Sequence, residues 1–336
     1  MAGKNSDATT DGLPSSESPL EIPAASVAVL ATLVYYHLFR FPLTLDEVHR
    51  LSGQSGGPEV TQAALDWLEA HGVAGHENGH VFLGDASQVE ERKVASSRAE
   101  AAESRIASRA RLIGRFPFVR GVGLSGSASK GVMRPGDDLD FFVVTAPGRL
   151  WVCRTLLMMF KKIFLLNSHR FFCVNYLVSE DGMELPDRNV FTAMEIAWLR
   201  PLWGSGWYER FLRANDWTRQ FLPNWTPLAS PGTTPAAGWI KRGLERLGSG
   251  ALGDRADEWL RLRILERNRR RYEKRFAPGE FDIAFRSERH ASKHHPGHHQ
   301  GRVSKRYEAA LETWRAKVKP SRVATGEPTA AGAARS

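Results

Sequence analysis

Apolar residues first recur at helical spacing from Pro23 onward, where Val27, Leu30, Leu33, Val34 and Leu38 fall at three- and four-residue steps. This predicts a helix that Phe41-Pro42-Leu43 closes. Thr44 with Glu47 three residues on is a capping-box pair and opens a second helix through Leu51 to Gly53. A third follows Pro58, carries Val60, Ala64, Leu65 and Leu68 on one face, and ends at Gly72. In residues 73–83, Asn78-Gly79 separates two short extended runs, which predicts a hairpin. Residues 88–113 then read as a charged, alanine-rich helix with a thin stripe of Val94, Ala102, Ile106 and Ile113. Past Gly114 the pattern becomes strand-like: an apolar lead-in ends at Gly126-Ser127, and Asp138-Leu139-Asp140 runs into Phe141-Phe142-Val143-Val144. A helix over 149–165 buries Leu150, Cys153, Leu157 and Phe160, a strand covers 170–178, and 183–186 is a further short strand. Helices rich in Trp and Phe are expected over 191–199 and 206–217, a Pro, Ser and Thr loop over 223–235, and a long helical pattern over 237–276 broken near 248–253. A last helix spans 301–318.

This order predicts an α+β fold: a small mixed β-sheet covered by helices, with a helix-and-hairpin unit before it and a helical region after it. The expected organisation is a disordered tail over 1–23, the helix-and-hairpin unit over 24–85, a connecting helix over 86–115, a core with helical extension over 116–222, a helical region over 236–317 and a disordered tail over 318–336. With 336 residues, 42% hydrophobic and 25% charged, the chain is long enough for such a division. Its two cysteines, Cys153 and Cys173, are too few for a disulfide framework, so a reducing, cytoplasmic setting is expected. The apolar runs 24–38 and 150–166 fall short of a bilayer span, so no membrane partner is expected. A net charge of +9 favours polyanionic partners.

The candidate chemistry lies in residues 122–145. In an extended strand Asp138 and Asp140 project to the same side, and two carboxylates forced together are matched by a hard cation such as Mg²⁺ or Mn²⁺. Gly126 permits close backbone approach at a turn, where amides near Ser127 hold phosphate oxygens, and Lys130 adds positive charge.

Gly126-Ser127, about a dozen residues, then Asp138-x-Asp140 before an apolar strand resembles the nucleotidyltransferase superfamily of DNA polymerase beta, kanamycin nucleotidyltransferase and the minimal nucleotidyltransferases. The resemblance covers residues 116–184. It implies that Gly126 and Ser127 take the triphosphate of an NTP, that Asp138 and Asp140 bind the catalytic metals, and that an NMP group passes to an acceptor with release of pyrophosphate. The acceptor class stays open among nucleic acid, protein and small molecule. The family places a third carboxylate on a later strand, whereas the central polar residue of 170–178 is Asn175, which can coordinate a metal through its carbonyl oxygen but cannot act as a base. Glu180, Asp181 and Glu184 are the nearest acids beyond it. The alternative is therefore a catalytically inactive nucleotidyltransferase fold that binds nucleotide or regulates a partner.

Three features remain. The first three helices and hairpin resemble a winged helix-turn-helix domain, but the third helix, 59–71, exposes Glu59, Gln62, Asp66 and Glu69 and contains no Lys or Arg, unlike a DNA-reading helix. Arginines crowd residues 261–275 as either a solvated face or a polyanion contact. The histidines of 290–299 read as a surface loop, as an arm folding over the active site, or as Zn²⁺ ligands.

Overall fold

The computed structural model describes residues 22–164, 166, 172–232, 238–294 and 299–318. The expected tails over 1–23 and 318–336 lie almost wholly outside them. In the N-terminal part, helices α1 (Ala24–His37), α2 (Leu45–Leu51) and α3 (Pro58–Ala70) pack with strands β1 (Leu43–Thr44), β2 (Gly75–Glu77) and β3 (His80–Phe82), which form an antiparallel sheet of order β1-β3-β2. The capping box forms: Thr44 Oγ1 accepts from Glu47 N, and Glu47 Oε2 accepts from Thr44 N at 2.9 Å. Asn78 and Gly79 both have positive φ, as a tight two-residue hairpin turn requires.

Helix α4 (Ser87–Gly114) ties this unit to the rest, with Arg92 making paired bonds of 2.6 and 2.7 Å to Glu47. Its buried stripe differs from the expected one. Ala95, Ala99, Ala102, Ile106, Ala110 and Ile113 face inward, and Val94 faces solvent, because small side chains let the helix close on the sheet.

The central sheet is built from β4 (Val119–Ser125), β5 (Asp140–Thr145), β6 (Cys173–Ser179), β7 (Arg200–Trp203) and β8 (Ala291–Lys293) in the order β7-β4-β5-β6-β8. Only β5 and β6 pair in parallel; helix α6 (Leu150–Phe164) joins them, and a four-residue helical turn, α5 (Gly126–Ser129), follows β4. Alternation splits the core between the two faces of this sheet. Phe142, Val144 and Val178 pack with α1, α7 (Val190–Ala197) and α8 (Trp207–Ala214), while Phe141, Val143 and Leu177 pack with α4, α6 and α10 (Ala251–Tyr272). The remaining helices are α9 (Trp239–Leu247), α11 (Glu280–Ala284) and α12 (His299–Val318). Among the described residues no helix is long and apolar enough to cross a membrane.

Some expectations are corrected. Residues 183–186 are not a strand: Leu185 N donates to Asn215 Oδ1 and Asn215 Nδ2 donates to Met183 O, so a side chain replaces a ladder partner. Strands β7 and β8 were not expected. The aromatic helices are core, since Trp207, Tyr208, Phe211 and Trp217 are buried.

Candidate functional site

Pairing of Ser125 with Asp140 brings the end of β4 against the start of β5. Gly126 follows with φ +71°, and a Cβ there would stand 2.6 Å from Asp140 Oδ2, so the turn rests on the carboxylate only because the residue is glycine. On the other side, a register shift in the β5–β6 pair after Phe141↔Val174 leaves Asn175 opposite Asp140's flank. Asn175 Nδ2 donates to Asp140 Oδ1 at 2.6 Å, and Cys173 Sγ donates to Asn175 Oδ1 at 3.0 Å.

These groups open onto a cavity of about 520 Å³. Gly126, Ser127, Lys130, Asp140 and Asn175 all line it. Ser127 Oγ donates to Asp137 Oδ2 at 2.9 Å, and Lys130 Nζ lies 2.9 Å from Glu195 Oε1 and 3.3 Å from Gly126 O. The opposite wall is aromatic: Tyr35 and Tyr36 of α1, Phe39 and Phe41 just after it, and Phe191 of α7. Lys293 of β8 and Gln300 of α12 also line the cavity. Residues 295–298 lie outside the described residues. His290 Nδ1 is 3.2 Å from Asp181 Oδ1, and His294 packs edge-on to Phe285.

Asp138 departs from expectation. β5 begins at Asp140, so Asp138 lies in the preceding coil and does not line the cavity; strand alternation is not what sets its direction. Its charge still acts on the site. Burial pushes the Asp140 carboxyl up to about 7, helped by the negative charges of Asp138 and Glu195, while the Cys173 thiol and Lys130 pull the other way. The acids expected to supply a third carboxylate are engaged elsewhere: Glu180 pairs with Arg210, Asp181 with His290 and Glu184 with Arg188. Asp137, Asp187 and Glu195 line the cavity instead, and of these Glu195 is the one whose charge acts on Asp140. A lone glutamate in the apolar run Phe191-Thr192-Ala193-Met194-Glu195-Ile196-Ala197 was the available signal.

Among the described residues no group of three or more His, Cys, Asp or Glu side chains is placed to hold a metal ion. Mg²⁺ does not need one, since it is held by one or two carboxylates together with substrate phosphates and water. The donor set fits that requirement: Asp140 lies on the cavity wall with the negative charges of Asp138 and Glu195 acting on it, and Lys130 is already paired with Glu195. Asn175 presents its nitrogen, not its oxygen, to Asp140, and so positions that carboxylate. No protein-family model, curated protein or solved structure matches the chain.

Proposed function

We propose that the chain is a metal-dependent nucleotidyltransferase that moves an NMP group from an NTP to an acceptor hydroxyl or phosphate and releases pyrophosphate. The observation that carries this reading is the Asp140 carboxylate pressed against the Gly126 turn on the wall of a closed-in cavity, with Lys130 beside it. The turn and Lys130 receive the triphosphate. Asp140 would hold Mg²⁺ or Mn²⁺, with the negative charge of Asp138 adding to its pull, and the ion when bound neutralises phosphate charge around the transferred phosphorus. An acceptor oxygen forms the new bond to the α-phosphorus, the bond to the bridging α–β oxygen breaks, and pyrophosphate leaves with that electron pair. For a hydroxyl acceptor the proton passes to a carboxylate, and Glu195 is the cavity acid, beside Asp137 and Asp187, whose charge acts on Asp140. The aromatic wall from Tyr35 to Phe41, with Lys293 and Gln300 at the end, is the acceptor's side of the chamber.

The test is pyrophosphate release from Mg·ATP and Mg·GTP with a panel of acceptors. Asp140→Asn should lower turnover by about 10²-fold or more with the fold intact, since the metal contribution is several kcal/mol. Turnover that survives both Asp138→Asn and Asp140→Asn removes this site. One observation favours a second reading, a nucleotide-binding regulator without turnover: Asn175 stands where the resemblance asks for a carboxylate. Calorimetric binding of Mg·ATP without pyrophosphate release from any acceptor would select it.

A further inference from the structure

Helix α9 is inside out. Its charged side faces the protein: Lys241 Nζ donates to Gly114 O at 2.9 Å and to Val119 O at 2.8 Å, while Glu245 Oε1 accepts from Phe118 N at 2.7 Å and Arg120 Nη1 at 2.8 Å. Its apolar side faces solvent. Trp239 is 77% exposed, Ile240 57%, Leu244 46% and Leu247 81%, and Leu252 at the start of α10 is 77% exposed. At 100° per residue, Trp239, Ile240, Leu244 and Leu247 share one sector, and Arg242 and Arg246 border it beside Trp239. A soluble helix of this pattern buries its apolar sector; here ion pairs and carbonyl bonds hold it outward.

We infer that this face is a docking site for an anionic lipid surface. The charge around it is complementary to such a surface. Arg242 and Arg246 on α9 and Arg255 in the first turns of α10 are exposed without an ion pair among the described residues. A short helix with Trp and Leu on one side, arginines at its border and low overall hydrophobicity lies in the plane of the lipid headgroups. Lying there is distinct from crossing, which no described helix can do. Other occupants fit less well. Leu244, Leu247 and Leu252 gain nothing against a nucleic-acid backbone. A second copy in an isologous pair would set these arginines close to their own equivalents. Within the chain, the undescribed residues 1–21, 165, 167–171, 233–237, 295–298 and 319–336 contain only Met1, Leu13, Leu20, Leu165, Phe171 and Val323 as large apolar residues, too scattered in sequence to form a matching stripe.

The experiment is sedimentation of the full chain with vesicles of pure phosphatidylcholine and with vesicles containing roughly one quarter phosphatidylglycerol. The chain should partition onto the anionic vesicles, less so in about 0.5 M NaCl, where exposed charges are screened within a few ångströms. Trp239→Glu with Leu247→Glu should lower that partition about tenfold or more, since two apolar anchors are lost. Both positions are exposed, so thermal melting should be unchanged, and Arg242→Gln with Arg246→Gln supplies a second variant that keeps the apolar stripe. It should weaken anionic binding and reduce its salt dependence. No partition by the native chain, or equal partition by the Trp239 and Leu247 variant, overturns the inference. So does a dimer in sedimentation velocity that this variant dissolves, or a duplex nucleic acid that displaces the vesicles.

Discussion

Asp140 is balanced between two neighbours, and each makes a testable claim. Gly126 touches one carboxylate oxygen, so Gly126→Ala must either displace Asp140 or strain a backbone at φ +71°. A loss of about 1–3 kcal/mol in stability, read by denaturant titration, and loss of any metal-dependent turnover are expected. Asn175 touches the other oxygen as a donor. Asn175→Asp would replace that donor with a second acid. In EDTA at pH 8 the variant should melt below the native chain, and Mg²⁺ should raise its melting temperature more than the native chain's. The Asp140 carboxyl sits at about 7, above its unfolded value, so the folded state binds the extra proton between about 4 and 7. Its contribution to stability is therefore lost as pH rises through that window. In metal-free buffer, Asp140→Asn should be more stable than the native chain at pH 8 and nearly equal to it at pH 4; equal melting at both values contradicts the burial of this charge.

Helices with a cap or a clear period were legible from the residues alone: the Thr44 capping box, Pro58 at the start of α3, and the apolar runs of α1 and α6 all appear in the structure. Strands β7 and β8 were not. Arg200-Pro201-Leu202-Trp203 and Ala291-Ser292-Lys293 are too short to show alternation, and only their neighbours β4 and β6 make them strands. The site divides in the same way. Gly126, Ser127, Lys130 and Asp140 are close in sequence and could be read as a motif, whereas Glu195 and Lys293 arrive from α7 and β8. The orientation of α9 was also hidden, because its period says which residues share a face and not which face is turned inward. Lys241 gives this element a pH signature. Burial lowers its ammonium to about 8, below the unfolded value, so the unfolded state binds more protons from about 8 to 10.5 and stability rises with pH there. Melting of the native chain relative to Lys241→Met should improve between pH 8 and pH 10; no change in that difference would mean that the ammonium is solvated.

One apolar core runs through most of the chain on one side of the central sheet. It includes Val29, Leu33, Leu65 and Leu83 of the N-terminal part together with Phe142, Met194, Trp207 and Trp225. Polar links cross the same boundary: Trp198 Nε1 donates to Tyr36 OH at 2.7 Å, and Tyr36 OH donates to Met194 Sδ at 3.3 Å. Calorimetry should therefore show the N-terminal unit and the central sheet unfolding in one transition, with calorimetric and van't Hoff enthalpies equal. Tyr36→Phe should weaken the whole by about 1–2 kcal/mol, through the unpaired Trp198 indole. Two resolved transitions would show that the shared core does not couple them.

Helices α1 and α12, from the two ends of the described chain, meet with Tyr35 5.6 Å from Tyr307 and His37 5.7 Å from Trp314 between ring centres. During synthesis, the Gly126 turn emerges well before the β8 edge and α12 can dock. A polypeptide cut short by a stop codon after α10 would keep the Gly126 turn yet lack Lys293 and Gln300 of the cavity lining.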